Sequence, residues 1–180
     1  RVENLKYVDK FKIPKLSGVS FKVSRGEIVG VAGVEGNGQS EMISIITGNM
    51  AAIDGKVFLN GHDITRESIT NIRKLGMSHV PEDRMLDGCA PEMSVQENLT
   101  VSNIDSFANK TGMIQKSKIK EFCKNQIVEF NVKTKDENQS IGSLSGGNIQ
   151  KVIVAREFKA NSDLLILNQP TRGVDVGAIS

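Results

Sequence analysis

The chain has 180 residues, 38% hydrophobic and 24% charged, with a formal net charge of +2. That is enough chain for one domain with a buried core, and too little basic excess to mark a nucleic-acid binder. No apolar run approaches the roughly 20 residues that cross a bilayer as a helix, and Cys89 and Cys123 lack metal-ligand spacing, so they read as reduced thiols of a cytoplasmic protein.

In chain order, Val2 to Val23 reads as extended segments, with Leu16, Val19, Phe21 and Val23 near a period of two and breaks expected at Pro14 and Ser17-Gly18. Tyr7 and Phe11 offer a ring for an adenine to stack on; an ordinary core or edge position is the equal alternative. A turn at Arg25-Gly26 leads into the apolar run Ile28-Val29-Gly30-Val31-Ala32, read as a strand. Gly33-Val34-Glu35-Gly36-Asn37-Gly38-Gln39-Ser40 follows and opens a helix over Glu41 to Thr47, closed by Gly48. Strand, glycine loop and helix form the setting of a phosphate cradle. The glycines let successive N–H groups curl around an anion, and the helix start adds its positive dipole end. The loop fits G-x-x-x-x-G-K-[ST] except that Gln39 stands in place of lysine.

Lys56 to Leu59 reads as a strand, and Asn60-Gly61 as a hairpin turn. A short amphipathic helix is expected from Ile69 to Leu75, stopped by Gly76, with Met77 to Val80 extended after it. Pro81-Glu82-Asp83-Arg84, Gly88 and Pro91 suggest an irregular polar loop, and Ser94-Val95-Gln96-Glu97 is a capping-box start. Ile119, Phe122, Cys123, Ile127 and Phe130 recur at helical spacing from about Lys116 to Phe130, which predicts a buried, inert Cys123. Lys133 to Ser140 is polar and turn-like. Leu144-Ser145-Gly146-Gly147-Asn148-Ile149-Gln150-Lys151 is a second anion nest at a helix start, and Leu164 to Leu167 is a strand apolar on both faces, as inside a parallel sheet, with Asn168 and Gln169 at its tip. His62 and His79 read as ordinary loop or strand residues. The chain opens on Arg1 and stops abruptly at Ala178-Ile179-Ser180, so a piece of a longer protein is expected.

This order and spacing strongly resembles the nucleotide-binding domain of ATP-binding cassette (ABC) transporters over essentially the whole chain. The likeness is greatest to the second cassette of the tandem ATP-binding subunits of simple-sugar and nucleoside importers. It is carried by residues 30–40, by Val80-Pro81-Glu82-Asp83-Arg84, and by Gln169-Pro170-Thr171-Arg172-Gly173-Val174-Asp175-Val176-Gly177-Ala178. The resemblance implies an α/β fold: a P-loop NTPase core with an antiparallel β subdomain and a helical subdomain over about 83–145, in one domain spanning 1–180 and truncated at its C-terminus. It makes Gly33, Gly36, Asn37, Gly38, Gln39, Ser40 and Glu41 the nucleotide-contacting Walker A loop. Leu144, Ser145, Gly146, Gly147 and Gln150 become the signature that completes a partner cassette's ATP site. Leu164 to Gln169 becomes Walker B, with Ser40 and Asn168 as weak Mg²⁺ ligands, Gln169 at the position of the catalytic base, and Asp175 in the D-loop.

Against that pattern the chain departs three times, each time losing a charge. Gln39 brings no positive charge to the phosphates; a charge pair at about 4 Å is worth roughly 4 kcal/mol at an effective dielectric of about 20. Asn168 offers an amide oxygen where a hard cation prefers carboxylate. Gln169 cannot accept a proton, and losing a positioned base costs about 10²- to 10⁴-fold in rate. The expectation is an importer cassette with an impaired site for ATP and Mg²⁺ and an intact signature. It would lie on the cytoplasmic face of the membrane, with a first or second cassette, a membrane permease and an extracytoplasmic solute-binding protein as partners and no nucleic acid. Its alternatives are an ATPase using Glu35 or Glu41 as base, a soluble relative acting on nucleic acid or ribosomes, and a structural half that binds no nucleotide.

Overall fold

The computed structural model describes residues 1–172, which fall into two compact units, Arg1–Met77 and a second from Ser78 onward. The first unit is built on a four-stranded antiparallel sheet in the order β2-β1-β3-β4, from β1 (Val2–Val8), β2 (Pro14–Phe21), β3 (Asp54–Leu59) and β4 (His62–Asp63). Asn60 and Gly61 join β3 to β4 with φ of 50° and 86°, the double positive φ of a type I′ hairpin. The expected break at Pro14 is present, as the start of β2, but the one at Ser17-Gly18 is not. Pro14 is the strand's first residue, where a missing N–H costs no ladder bond, and the strand runs on through Ser17-Gly18 with an irregular register against β1.

Helix α1 (Gln39–Ile46) follows the glycine loop and buries Met42, Ile45 and Ile46, the i, i+3, i+4 stripe of a surface helix. Gly48, at φ 82°, closes it, and the Thr47 hydroxyl donates to the Ile43 carbonyl at 2.9 Å. Helix α2 (Ile69–Lys74) starts at Ser68, whose hydroxyl accepts from the Asn71 N–H. Leu5, Leu16, Val57, Leu59, Ile64 and Ile72 complete this core.

The run Ile28 to Ala32 is not a strand here: it has no regular structure, and Ile28 is 97% exposed. An extended segment becomes a strand only by pairing, and none of the described strands pairs with it.

β5 (Met77–Val80), whose first residue closes the first unit, and β6 (Leu164–Leu167) are neighbours, and the Asn168 N–H donates to the Val80 carbonyl at 3.0 Å. β6 is short and only half-buried, less enclosed than its apolar sequence suggested. The polar stretch after β5 holds a five-residue π-helical turn, Arg84–Gly88, capped by the Asp83 carboxylate, which accepts from the Met85 and Leu86 N–H groups. Helix α3 (Val95–Thr100) has the full capping box of Ser94 and Glu97. Helices α4 (Lys116–Glu129) and α5 (Gly146–Phe158) pack around Leu99, Phe107, Ile119, Cys123, Ile141 and Ile153. Buried Asn98 brackets the Ala90 peptide, accepting from its N–H at 2.8 Å and donating to its carbonyl at 3.1 Å, so the loop before α3 is fixed from inside.

Cys123 lies on the inner face of α4, wholly buried, and burial pushes its thiol up to about 12. A thiol raised on folding contributes stability that is complete below its unfolded value near 8.5 and is lost as pH rises toward the folded value. The urea midpoint of the wild type should therefore fall from about pH 8.5 to 10 more steeply than that of Cys123→Ala, by at most roughly 1.4 kcal/mol per pH unit. Parallel falls in the two proteins would remove this assignment.

Candidate functional site

In the first unit, the loop from Gly33 to Gly38 curls with φ of 89° at Gly36 and 98° at Gly38, conformations that favour glycine. Gly38 is demanded twice over, because a Cβ there would lie 2.3 Å from the Lys15 carbonyl oxygen of β2. Gly38 is also the N-cap of α1, and no side chain caps that helix, so its first N–H groups face the loop as an anion cradle would require.

Gln39 is half-buried and turned inward. Its Nε2 donates to the Val34 carbonyl at 3.2 Å and sits 2.0 Å from where a Cβ of Gly33 would be. Ser40 is exposed, Glu41 half-buried in the first turn of α1, and the Asn37 N–H closes on the Val34 carbonyl. Of the two aromatic candidates, Tyr7 lies half-buried in β1 opposite Leu16. Phe11 is 72% exposed at the β1–β2 turn with the Lys10 ammonium 5.1 Å from its ring centroid.

In the second unit, α5 begins at Ser145, which is exposed; its hydroxyl accepts from Asn148 Nδ2 at 2.8 Å instead of capping the helix. Gly146 lies close to Arg84: a Cβ there would come 2.5 Å from a guanidinium nitrogen, so a larger residue would displace that side chain. That guanidinium also donates to the Arg172 carbonyl at 2.7 Å, and Arg172 pairs with Glu82. Arg84 thus touches both the start of α5 and the segment after β6, a contact that sequence reading missed. Leu144 and Gly147 are half-buried, and Gln150 is buried on the inner side of α5.

Asn168 is half-buried at the tip of β6; Gln169 is exposed with φ 47°, and its carbonyl accepts from the Arg172 N–H. Asp175 lies outside the described residues. His62 is exposed in β4, and the His79 N–H donates to the buried Glu157 carboxylate.

Phosphates fit the loop: two glycines with positive φ and an uncapped helix start supply N–H donors without a competing side-chain acceptor. Mg²⁺ fits less well. In the first unit Ser40 brings only a hydroxyl, in the second Asn168 only an amide, and among the described residues no group of three or more His, Cys, Asp or Glu could hold a metal ion.

A glycine cradle opening a helix, a four-stranded antiparallel sheet and a second unit with its own glycine nest form the ABC cassette fold, a P-loop α/β fold with an antiparallel β subdomain. Its backbone superposes on a dimeric bacterial ABC transporter cassette with a TM-score of 0.84 at 20% identity, covering 98% of this chain and 76% of that one. A nucleotide-free ATP-binding cassette from an ABC transporter matches with a TM-score of 0.75 at 27% identity, covering 99% of this chain and 72% of that one.

The profile of the ABC transporter family matches residues 16–172, and the chain belongs to that family as an ATP-binding domain. It is 45% identical over 166 residues to the nucleoside import ATP-binding protein NupA of Lactococcus lactis, covering 92% of this chain and 33% of that protein. The guanosine import ATP-binding protein NupO of Bacillus subtilis is 38% identical over 182 residues, covering 99% of this chain and 35% of that protein. The ribose import ATP-binding protein RbsA of Clostridium perfringens is 38% identical over 163 residues, covering 91% of this chain and 32% of that protein. The chain therefore spans about a third of the length of these curated relatives. Among the described residues no helix is long and apolar enough to cross a membrane.

Proposed function

We propose that this chain is a cassette of an ABC importer for nucleosides or simple sugars, and within that importer the second, degenerate cassette of a tandem ATP-binding subunit. Support for import comes from the nucleoside, guanosine and ribose importers it is similar to. Support for degeneracy comes above all from Gln39, whose uncharged amide is spent on the loop's own Val34 carbonyl. Asn168 and Gln169 extend the loss to the metal and base positions. Gly33, Gly36, Asn37, Gly38, Gln39, Ser40 and Glu41 would hold ATP or ADP weakly and without turnover. Leu144, Ser145, Gly146, Gly147 and Gln150 would complete the ATP site of a partner cassette, Asp175 would belong to the D-loop, and residues 83–145 would form the helical subdomain that meets the permease. A solute-binding protein outside the cell would deliver the cargo, with the cassettes bound to the permease at the cytoplasmic face.

In this reading the chain's own groups bind and orient phosphate but move no proton. ATP supplies the free energy of transport at the partner site. One experiment separates the readings: ATP titration of the full-length protein with and without Mg²⁺, alongside ATPase assays of the assembled transporter. The expected result is nucleotide binding at this loop with little dependence on Mg²⁺, and turnover abolished when the partner cassette loses its loop lysine. Turnover that survives that substitution would overturn the reading. The Gln39 amide inside the loop favours one alternative, a site that binds nothing, which would appear as an absence of saturable binding here.

A further inference from the structure

Strand β2 runs directly beside the glycine loop, and the Lys15 carbonyl lies so close to Gly38 that no Cβ fits between them. From that anchor the Lys15 side chain turns along the loop and brings its ammonium 3.5 Å from the Gly36 carbonyl. At that length the bond is at the outer limit of a hydrogen bond, so it steers the ammonium without neutralising it. Among the described residues Lys15 forms no ion pair, and the loop's own acids, Glu35 and Glu41, stay beyond pairing distance.

A cation beside the start of a helix is disfavoured, because the helix dipole is positive there. The loop thus carries positive potential from α1, offset in part by Glu41 in the first turn, and a nearby ammonium that no carboxylate pairs. An anion in the cradle would relieve both. Gln39, the residue that should meet such an anion, has turned its amide to Val34 instead.

We propose that Lys15, reaching in from β2, supplies to the phosphates of a nucleoside di- or triphosphate the positive charge that Gln39 withholds. The proposal rests on the reading of the loop as a nucleotide site. Lysine suits the task because its four-carbon stem lets a point charge shift by a few ångströms while its backbone stays fixed in the strand.

The test uses the full-length protein, pulse acetylation of lysines read by peptide mass spectrometry, and amide exchange of the loop peptide, each with ATP, ADP or adenosine. ATP and ADP should slow acetylation of Lys15 several-fold, and adenosine should not. Lys15→Gln should weaken ADP binding about tenfold, as expected for losing one charge-assisted contact, with Lys15→Arg retaining most of it. In a Gln39→Lys background, Lys15→Gln should cost much less. If ATP protects the loop amides while Lys15 acetylates at its original rate, the role of Lys15 is overturned and the nucleotide site stands. If millimolar ATP changes neither, the nucleotide reading of the loop fails, and this proposal with it.

Discussion

Ser145→Arg should lower ATP turnover of the assembled transporter by roughly 10²- to 10³-fold, the loss typical of removing one preorganised donor from a site where charge develops. Ser145 is exposed at the start of α5, and its hydroxyl is held by Asn148, whose own oxygen accepts from the Lys133 N–H at 2.7 Å. The hydroxyl and the helix start together present donors to whatever docks there. An arginine at this exposed position would block the start of α5 while leaving the helix's core face unchanged, so circular dichroism and thermal unfolding should match the wild type. Nucleotide binding at this chain's own loop should also be unaffected, since that loop belongs to the other unit. Phosphate release from the mixed assembly is the measurement. Wild-type turnover in the Ser145→Arg assembly would exclude residues 144–150 from the partner's site.

Glu157→Ala should be the most damaging single truncation to stability in the second unit. Glu157 is 0% exposed, and its carboxylate accepts from Arg156 at 2.7 Å and from the His79 N–H at 3.3 Å. Arg156, itself nearly buried, also donates to the Gly88 carbonyl at 2.8 Å, so one pair ties α5 to β5 and to the end of the π-helical turn. Removing the carboxylate leaves the Arg156 guanidinium without its counter-ion, held by the Gly88 carbonyl alone, and takes an acceptor from the His79 N–H. That costs about 3–5 kcal/mol, the usual penalty for breaking a buried ion pair from one side. For a chain of this size it lowers the melting temperature by roughly 10 °C. Differential scanning calorimetry or urea unfolding would show it. A shift under about 2 °C would mean that water or a neighbouring group replaces the carboxylate.

The family, and with it most of the fold, was legible because its punctuation is local. Asn60-Gly61, the Ser94 capping box and the apolar stripe of α4 are set by residues a few positions apart, and each lies where its chemistry put it. Ile28 to Ala32 misled because the apolar run predicts a strand while strand formation depends on a partner far away in sequence. Gly18 misled in the opposite sense, as a break that proved to be a glycine with φ 98° inside a continuing strand. The glycine loop and the nest at Ser145 were found by motif. The groups that surround them were not. Lys15 meets the loop from 21 positions upstream, and Arg84 meets Gly146 through a π-helical turn that no periodicity announces. Arg156-Glu157 belongs to no motif in the sequence, and only packing makes it an interior pair.

Gly38 bears on how such loops are recognised at all. Its missing side chain is required by the backbone of β2 pressing against it, whether or not anything sits in the curl. A lineage could therefore discard every charged group that handles phosphate and still be compelled to keep this one glycine, because a Cβ there would press on the backbone of β2. Gly38 is in that sense a record of how two elements meet, and it would survive the loss of the loop's chemistry much as a doorway survives the removal of its door.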